Sequence, residues 1–303
     1  MKNIVNLISI FLIIGISVYL FRNPNQLDVL TEISIYTILF LIFIKFLTLL
    51  VNSFFNREIL KGFGLNISYL EAVYLGSITF LGNLFLPLRS GANFRLIYLN
   101  KKYKFKSPEL ASMYLYFFVV TIFLNSLVGL ICLFFLDLPG DIVFIISIII
   151  FLVMFIFSTF LLLKEFTVRT GGDKIRIISW LRNLKINWNV ITRNRILQYK
   201  LIFLTTINYL LFAVEAYVII DLLFSKNNLF TIFYYNSISV LSSLASFTPA
   251  SLGLKDLLVF FSSNILTLSV ANVITLMIVE RAIAVLFSLI PGFLTLSLKK
   301  SIR

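Results

Sequence analysis

Histidine is absent from the sequence, and its single cysteine, Cys132, is set inside an apolar run. These two scarcities exclude imidazole acid–base chemistry, histidine metal sites, thiol pairs and intramolecular disulfides together. Cys132 is then read as a small buried hydrophobe. Charge is nearly as scarce: only 13% of the 303 residues are Asp, Glu, Lys or Arg, about half of what a soluble domain carries to face water. No Gly-x-x-x-x-Gly-Lys-Ser/Thr loop occurs either. Uphill pumping would therefore need an ion gradient, and downhill scrambling is equally open.

What fills the chain instead is hydrocarbon. Hydrophobic residues make up 60% of it, 33 of them Phe, and the mean hydropathy is +1.01. The apolar residues come as long runs: Ile4 to Phe21, Ile33 to Val51, Leu110 to Leu136, Ile142 to Leu163, Leu201 to Phe224 and Ala271 to Leu298. Each reaches or exceeds roughly 18 residues, enough at 1.5 Å per residue to cross about 30 Å of hydrocarbon. A helix satisfies its own backbone hydrogen bonds where lipid offers none, so the expected fold is an all-α polytopic membrane protein. The ten-residue polar/apolar alternation of an outer-membrane barrel is missing. The first run competes with a secretory signal peptide, but no small-x-small cleavage site precedes Arg22-Asn23-Pro24, so a retained first helix is expected.

The net charge of +13 would suggest nucleic acid in a soluble protein. Here it lies in loops between spans, where anionic lipid and the positive-inside bias account for it, and no nucleic-acid partner is expected. Arg89, Arg95, Lys101, Lys102, Lys104 and Lys106 precede the first nearby acid, Glu109; the region 164–200 adds seven further internal Lys and Arg, among them Arg169 and Arg195, against Glu165 and Asp173. Both loops, the head at Lys2 and the tail at Lys299, Lys300 and Arg303 should be cytoplasmic. The neutral or acidic connections around Asp28 and Glu32, Asp137 and Asp141, and Asp221 face outward. Within 164–200, Trp180 and Trp188 accompany apolar residues at helical spacing (Ile175, Ile178, Leu181, Leu184), which suggests a helix lying on the inner leaflet.

Parity then forces a constraint. The basic loops at 52–66 and 89–106 fall on one side although the apolar stretch Tyr69 to Leu86 separates them, and the stretch 229–268 must likewise return to its starting side. Two re-entrant hairpins resolve this; the alternative is that Tyr69 to Leu86 spans fully with the amino terminus outside. Both stretches break at Pro, three residues, then Gly: Pro87 to Gly91 and Pro249 to Gly253. Proline ends a half-helix, glycine lets the chain turn, and such a turn is tolerated at membrane depth only inside protein or beside water. The expected organisation is one membrane domain, 1–303, of about six spans plus two hairpins. Its halves, 1–140 and 141–303, repeat span, span, hairpin, span with inverted sense. That is the arrangement in which secondary transporters place a central site served by alternating access.

Ionised groups in lipid need partners, since each costs roughly 2.5–3.5 kcal/mol at mid-bilayer. Glu280 and Arg281 lie near the middle of the last run and point about 100° apart, so they cannot simply neutralise each other. Glu215 sits at a depth that could meet Arg281, and Lys255 and Asp256 follow the second breaker. A polar centre of Arg95, Glu215, Lys255, Asp256, Glu280 and Arg281, with its cations receiving an anionic head group, is the functional expectation. The alternative is structural ion pairs. Lys45 and Glu71 are read as helix-end residues that snorkel.

Asn83, Pro87, Gly91 and Arg95, together with Pro249, Gly253, Lys255 and Asp256, resemble motifs of the membrane domain of lysylphosphatidylglycerol synthases and their stand-alone flippase-like relatives. The early motif of that family is Asn-x-x-x-Pro-x-x-x-Gly-Glu-x-x-Arg; the late one is Thr-Pro-Gly-Gly-Leu-Gly-Val-Arg-Glu, followed by an Arg in the last helix. The chain reads Thr248-Pro249-Ala250-Ser251-Leu252-Gly253-Leu254-Lys255-Asp256, with charge signs kept, and carries Ala92 where the family has an acid. The resemblance implies a flippase or scramblase-like protein that moves an anionic or glycosylated lipid between leaflets of the cell membrane. The aminoacyl-transferring activity of the bifunctional relatives is expected to be absent, since the chain ends at Arg303. The expected substrate or translocation residues are Asn83, Pro87, Arg89, Gly91, Arg95, Glu215, Pro249, Gly253, Lys255, Asp256, Glu280 and Arg281. No catalytic residue, metal or cofactor is expected. Competing readings are a polyprenyl-phosphate-dependent glycosyltransferase using outer-face acids such as Asp28, Glu32, Asp137 and Asp141, and a small-solute transporter of the same inverted build.

Overall fold

A computed structural model of the chain describes residues 33–86, 90–136, 142–167, 176–224, 228–245 and 254–301. The run 4–21, the acidic turn around Asp137 and Asp141, and the expected site residues Pro87, Arg89, Pro249 and Gly253 lie outside the described residues. Among those described, every regular element is a helix: α1 (Ile35–Gly62), α2 (Tyr69–Phe85), α3 (Ser90–Tyr103), α4 (Ser107–Phe135), α5 (Ile142–Leu163), α6 (Arg176–Arg193), α7 (Arg195–Phe224), α8 (Leu229–Ala245), α9 (Leu254–Phe261), α10 (Ser263–Leu266), α11 (Val270–Phe287) and α12 (Leu289–Ser301).

The helices α1, α4, α5 and α7, and the stretch Ala271–Leu298 that joins α11 to α12, are long and apolar enough to cross a membrane. The chain is a multi-pass, all-α membrane protein. Its last span consists of two helices that meet at Ser288. Pro291, in the first turn of α12, has no amide hydrogen to continue the ladder of α11. Helix starts follow local chemistry. Ser68 and Ser269 each accept a hydrogen bond from the amide three residues on, Glu71 N and Asn272 N, both at 3.2 Å. At α4, Pro108 opens the first turn and Glu109 accepts from Lys106 N at 2.6 Å.

The basic connections gather at one end of the bundle. Trp180 Nε1 donates to Ser107 Oγ at 3.2 Å, Ser112 Oγ donates to the Leu184 carbonyl at 3.1 Å, and Lys200 pairs with Glu58 at 3.5 Å. α2 leaves from that end and α3 returns to it. Its two arms lie antiparallel, joined by Tyr98 and Tyr103 to Glu71 near the base and by Gly91 N to Asn83 Oδ1, at 3.2 Å, near the tip. The contact at the tip is backbone on backbone: a Cβ on Gly91 would lie 2.0 Å from the Thr79 carbonyl oxygen, and one on Gly82 would lie 2.5 Å from Gly91 Cα. Only glycine permits that approach. α8 starts at the opposite end, where Phe230 stacks on Phe135 at 4.7 Å. α9 and α10 fold back along it, with Tyr234 Oη donating to Ser262 Oγ at 3.4 Å.

Two hydrophobic cores result. One, at the basic end, packs Ile59, Leu60, Leu75 and Leu99 with Met113, Ile191 and Leu201. The other, at the opposite end, packs Leu133 and Ile219 with Tyr234, Val259, Ile265 and Leu276. Trp188 belongs to the first core, 3% exposed against Tyr116 and Phe166, whereas Trp180 lies at the surface. The two tryptophans of α6 therefore have different roles: Trp188 anchors the helix to α4, and only Trp180, with Ile177, Ile178 and Leu181, is exposed.

Candidate functional site

Between the two cores, charged and polar side chains are set among apolar ones. α1, α2, α4, α7, α8, α9 and α11 line a cavity of about 410 Å³. Three ion pairs border it. Lys45 Nζ on α1 meets Glu215 Oε1 on α7 at 2.5 Å. Lys255 on α9 pairs with Glu280 on α11, and Asp256 pairs with Arg281 in the same way. Tyr235 Oη donates to Glu280 Oε1 at 2.6 Å. Neutral amides complete the wall, with Asn52 Nδ2 donating to Asn208 Oδ1 at 3.3 Å and Asn236 Nδ2 donating to the Tyr209 carbonyl at 3.2 Å.

The crosswise pairing of α9 with α11 follows from helix geometry. Neighbouring residues on a helix point about 100° apart, so Glu280 and Arg281 cannot pair with each other. The consecutive residues Lys255 and Asp256 sit opposite them with reversed sign and satisfy both. Glu215, expected near Arg281, is instead held by Lys45. The apolar run of the sequence stops at Val51, which puts Lys45 near a helix end, but α1 continues to Gly62 through Asn52, Ser53 and Asn56. This leaves Lys45 in the interior of the helix and makes it part of the site.

A second chamber of about 440 Å³ adjoins the first and shares Lys45, Asn52, Phe80, Asn83, Phe117 and Phe212 with it. Its distinctive residue is Arg95 on α3, which is 2% exposed and carries its guanidinium 4.4 Å from the centre of the Tyr114 ring. Of the expected site residues that are described, Asn83, Glu215, Lys255, Glu280 and Arg281 line the first chamber, with Asp256 behind Arg281. Asn83 and Arg95 line the second. Gly91 contributes shape rather than chemistry, as the close-approach residue of the α2–α3 tip.

Glu71 also departs from the sequence reading. It is 4% exposed, accepts from Tyr98 Oη at 2.7 Å and from Tyr103 Oη at 2.8 Å, and pairs with Lys102 at 3.2 Å. Burial, then the hydrogen bond to Glu71 and its charge, push the Tyr103 hydroxyl up to about 12. The hydroxyl is therefore a protonated donor at neutral pH. This cluster ties the base of the α2–α3 hairpin together and stands apart from both chambers. The sequence signal available for it was Ser68-x-x-Glu71, which places Glu71 in the first turn of a helix whose amide it does not need.

Among the described residues no group of His, Cys, Asp and Glu is arranged to hold a metal ion. The chambers can bind a polar group by charge and hydrogen bonds. The sequence profile described as lysylphosphatidylglycerol synthase TM region matches residues 4–292 of the chain. No curated protein and no solved structure matches it.

Proposed function

The chain belongs to the lysylphosphatidylglycerol synthase TM-region family, and on that footing we propose that it carries a lipid from one leaflet to the other, its head group passing through the two chambers while its tails stay in the bilayer. The observation that carries this reading is the polar, ion-paired cavity held between two helical hairpins inside an otherwise apolar bundle. Charges at such depth are costly unless they are paired or hydrated, and they mark substrate pathways. A volume of about 410 Å³ is within the size range of small-molecule sites, which suits a head group and not a whole lipid.

In this account α2–α3 and α8–α10 are re-entrant hairpins that dip from opposite faces. α2 has 17 residues, about 25 Å at 1.5 Å each, short of a bilayer core. The inverted-repeat reading is supported by matched neighbours. α1 packs on α7; α2 packs on α12 as α8 packs on α4; and α1 meets α11 as α7 meets α4. Each contact exchanges one half of the chain for the other. The clustered lysines and arginines assign the basic end to the cytoplasm, with both termini on that side.

The test is reconstitution into vesicles holding a fluorescent phospholipid, with an impermeant reductant added outside. Protein-free vesicles lose about half their signal, because only the outer leaflet is reached. With the protein, most of the remaining signal should be lost as lipid moves outward. A plateau at the protein-free level would remove this reading.

A further inference from the structure

Among the described residues, the charges at the two chambers do not sum to zero. Among the described residues, Lys45, Lys255 and Arg281 are each matched by an acid: Glu215, Glu280 and Asp256. Arg95 is not matched. It is 2% exposed, its Nε has no hydrogen-bond partner, and among the described residues it forms no ion pair. The Tyr114 ring lies 4.4 Å from its Cζ. Arginine cannot shed its proton, so it cannot become neutral on burial as a lysine can. A lone buried guanidinium is unfavourable until an anion occupies the space in front of it. That space exists: Arg95 lines the second chamber of about 440 Å³.

Most of that chamber's wall is apolar, with Phe55, Phe80, Phe117 and Phe118 among its residues, and the polar side chains set into it say what the anion is attached to. Asn52, Asn56, Asn83, Asn93 and Thr79 line it. These side chains hydrogen-bond hydroxyl and ester oxygens without adding charge. No acid lines this chamber among the described residues. A cationic group entering it would face Arg95 and the already paired Lys45, with no acid among the described lining residues to neutralise it.

Resting on the translocation reading above, we propose that this chain is built for a lipid whose head group bears one net negative charge on a phosphodiester and is otherwise uncharged and hydroxyl-bearing, with Arg95 holding the phosphate, and that it excludes aminoacylated head groups of net positive charge. The planar fork of the guanidinium matches two phosphate oxygens. The surrounding amides read the hydroxyls. This separates the substrate from the aminoacylated lipid in the family's description, although both share a phosphodiester.

The experiment compares tail-labelled phosphatidylglycerol, its lysyl ester and phosphatidylcholine in the vesicle assay, for wild type, Arg95→Gln and Arg95→Lys. In parallel, short-chain versions of the three lipids and soluble glycerophosphoglycerol are added to protein in detergent and thermal unfolding is followed. Phosphatidylglycerol should move fastest and raise the unfolding temperature of the wild type. Arg95→Gln should slow its movement by roughly ten- to a hundredfold, as expected for a lost charge-assisted hydrogen bond, and abolish the thermal shift. Arg95→Lys should fall between. Equal rates for all three lipids, or faster movement of the lysyl ester, overturns the proposal while leaving translocation intact. A thermal shift specific to phosphatidylglycerol and dependent on Arg95, with no movement of any lipid, keeps the site and removes translocation. An equal thermal shift from glycerophosphoglycerol makes a soluble phosphate the ligand and overturns the lipid assignment. Should Arg95→Gln not fold, the wild-type ranking of the three lipids decides alone.

Discussion

Lys45 and Glu215 meet at 2.5 Å in the interior of the bundle, and their side chains are 13% and 6% exposed. A pair this buried contributes little net stability, because desolvating two charges offsets most of their attraction, yet removing one partner strands the other. Lys45→Met alone should therefore destabilise the protein by about 3 kcal/mol, measured by thermal or denaturant unfolding in detergent. The double substitution Lys45→Met with Glu215→Leu should recover most of that loss and still lack transport. If the single and double variants were equally unstable, the pair would not be acting as a unit. Glu215 was legible in the sequence as an acid at depth. Its partner was not, because hydropathy alone cannot see a span continue through Asn52, Ser53 and Asn56 when those residues turn inward.

At the scale of elements, the α2–α3 hairpin depends on two glycines. Gly91 has no room for a methyl group, with the Thr79 carbonyl oxygen 2.0 Å from where its Cβ would be. Backbone cannot give way as a flexible side chain can, so Gly91→Ala should force the arms apart and cost roughly 1–3 kcal/mol. A lower unfolding temperature and reduced lipid movement would show this. Wild-type behaviour would mean that the arms are not pressed together at the tip. The Pro-x-x-x-Gly pattern pointed to this turn from sequence. What it could not supply was the second glycine, Gly82, on the facing arm, because packing partners across a hairpin leave no fixed spacing in a sequence. The crossed pairing of Lys255 and Asp256 with Glu280 and Arg281 was half legible. The 100° step from Glu280 to Arg281 excluded a mutual pair, and the facing helix had to be seen before their partners could be named.

At the scale of the whole molecule, two apolar cores leave between them a layer that holds the ion pairs, with Asn83 of α2 and Lys255 of α9 among the residues that line it. Composition and run length gave the class of fold, and the charge asymmetry of the loops is consistent with their gathering at one end. That Arg95, among the described residues, stands without an acid while the ion pairs gather in the other chamber was not readable from sequence, where it is one member of a single polar centre. Depth along a helix can be counted from a sequence; which of several cations at one depth finds an acid cannot.

A head group that passes between the hairpins through the ion-paired chamber requires that chamber to open to each face in turn. Ser239 lines that chamber and is 7% exposed, so a cysteine placed there, with Cys132→Ser to remove the native thiol, reports on the pathway directly. In oriented vesicles an impermeant thiol reagent should reach Ser239→Cys from either face, and phosphatidylglycerol should slow the reaction from both. Reaction from one face only, or a rate unaffected by the lipid from either side, would contradict the account.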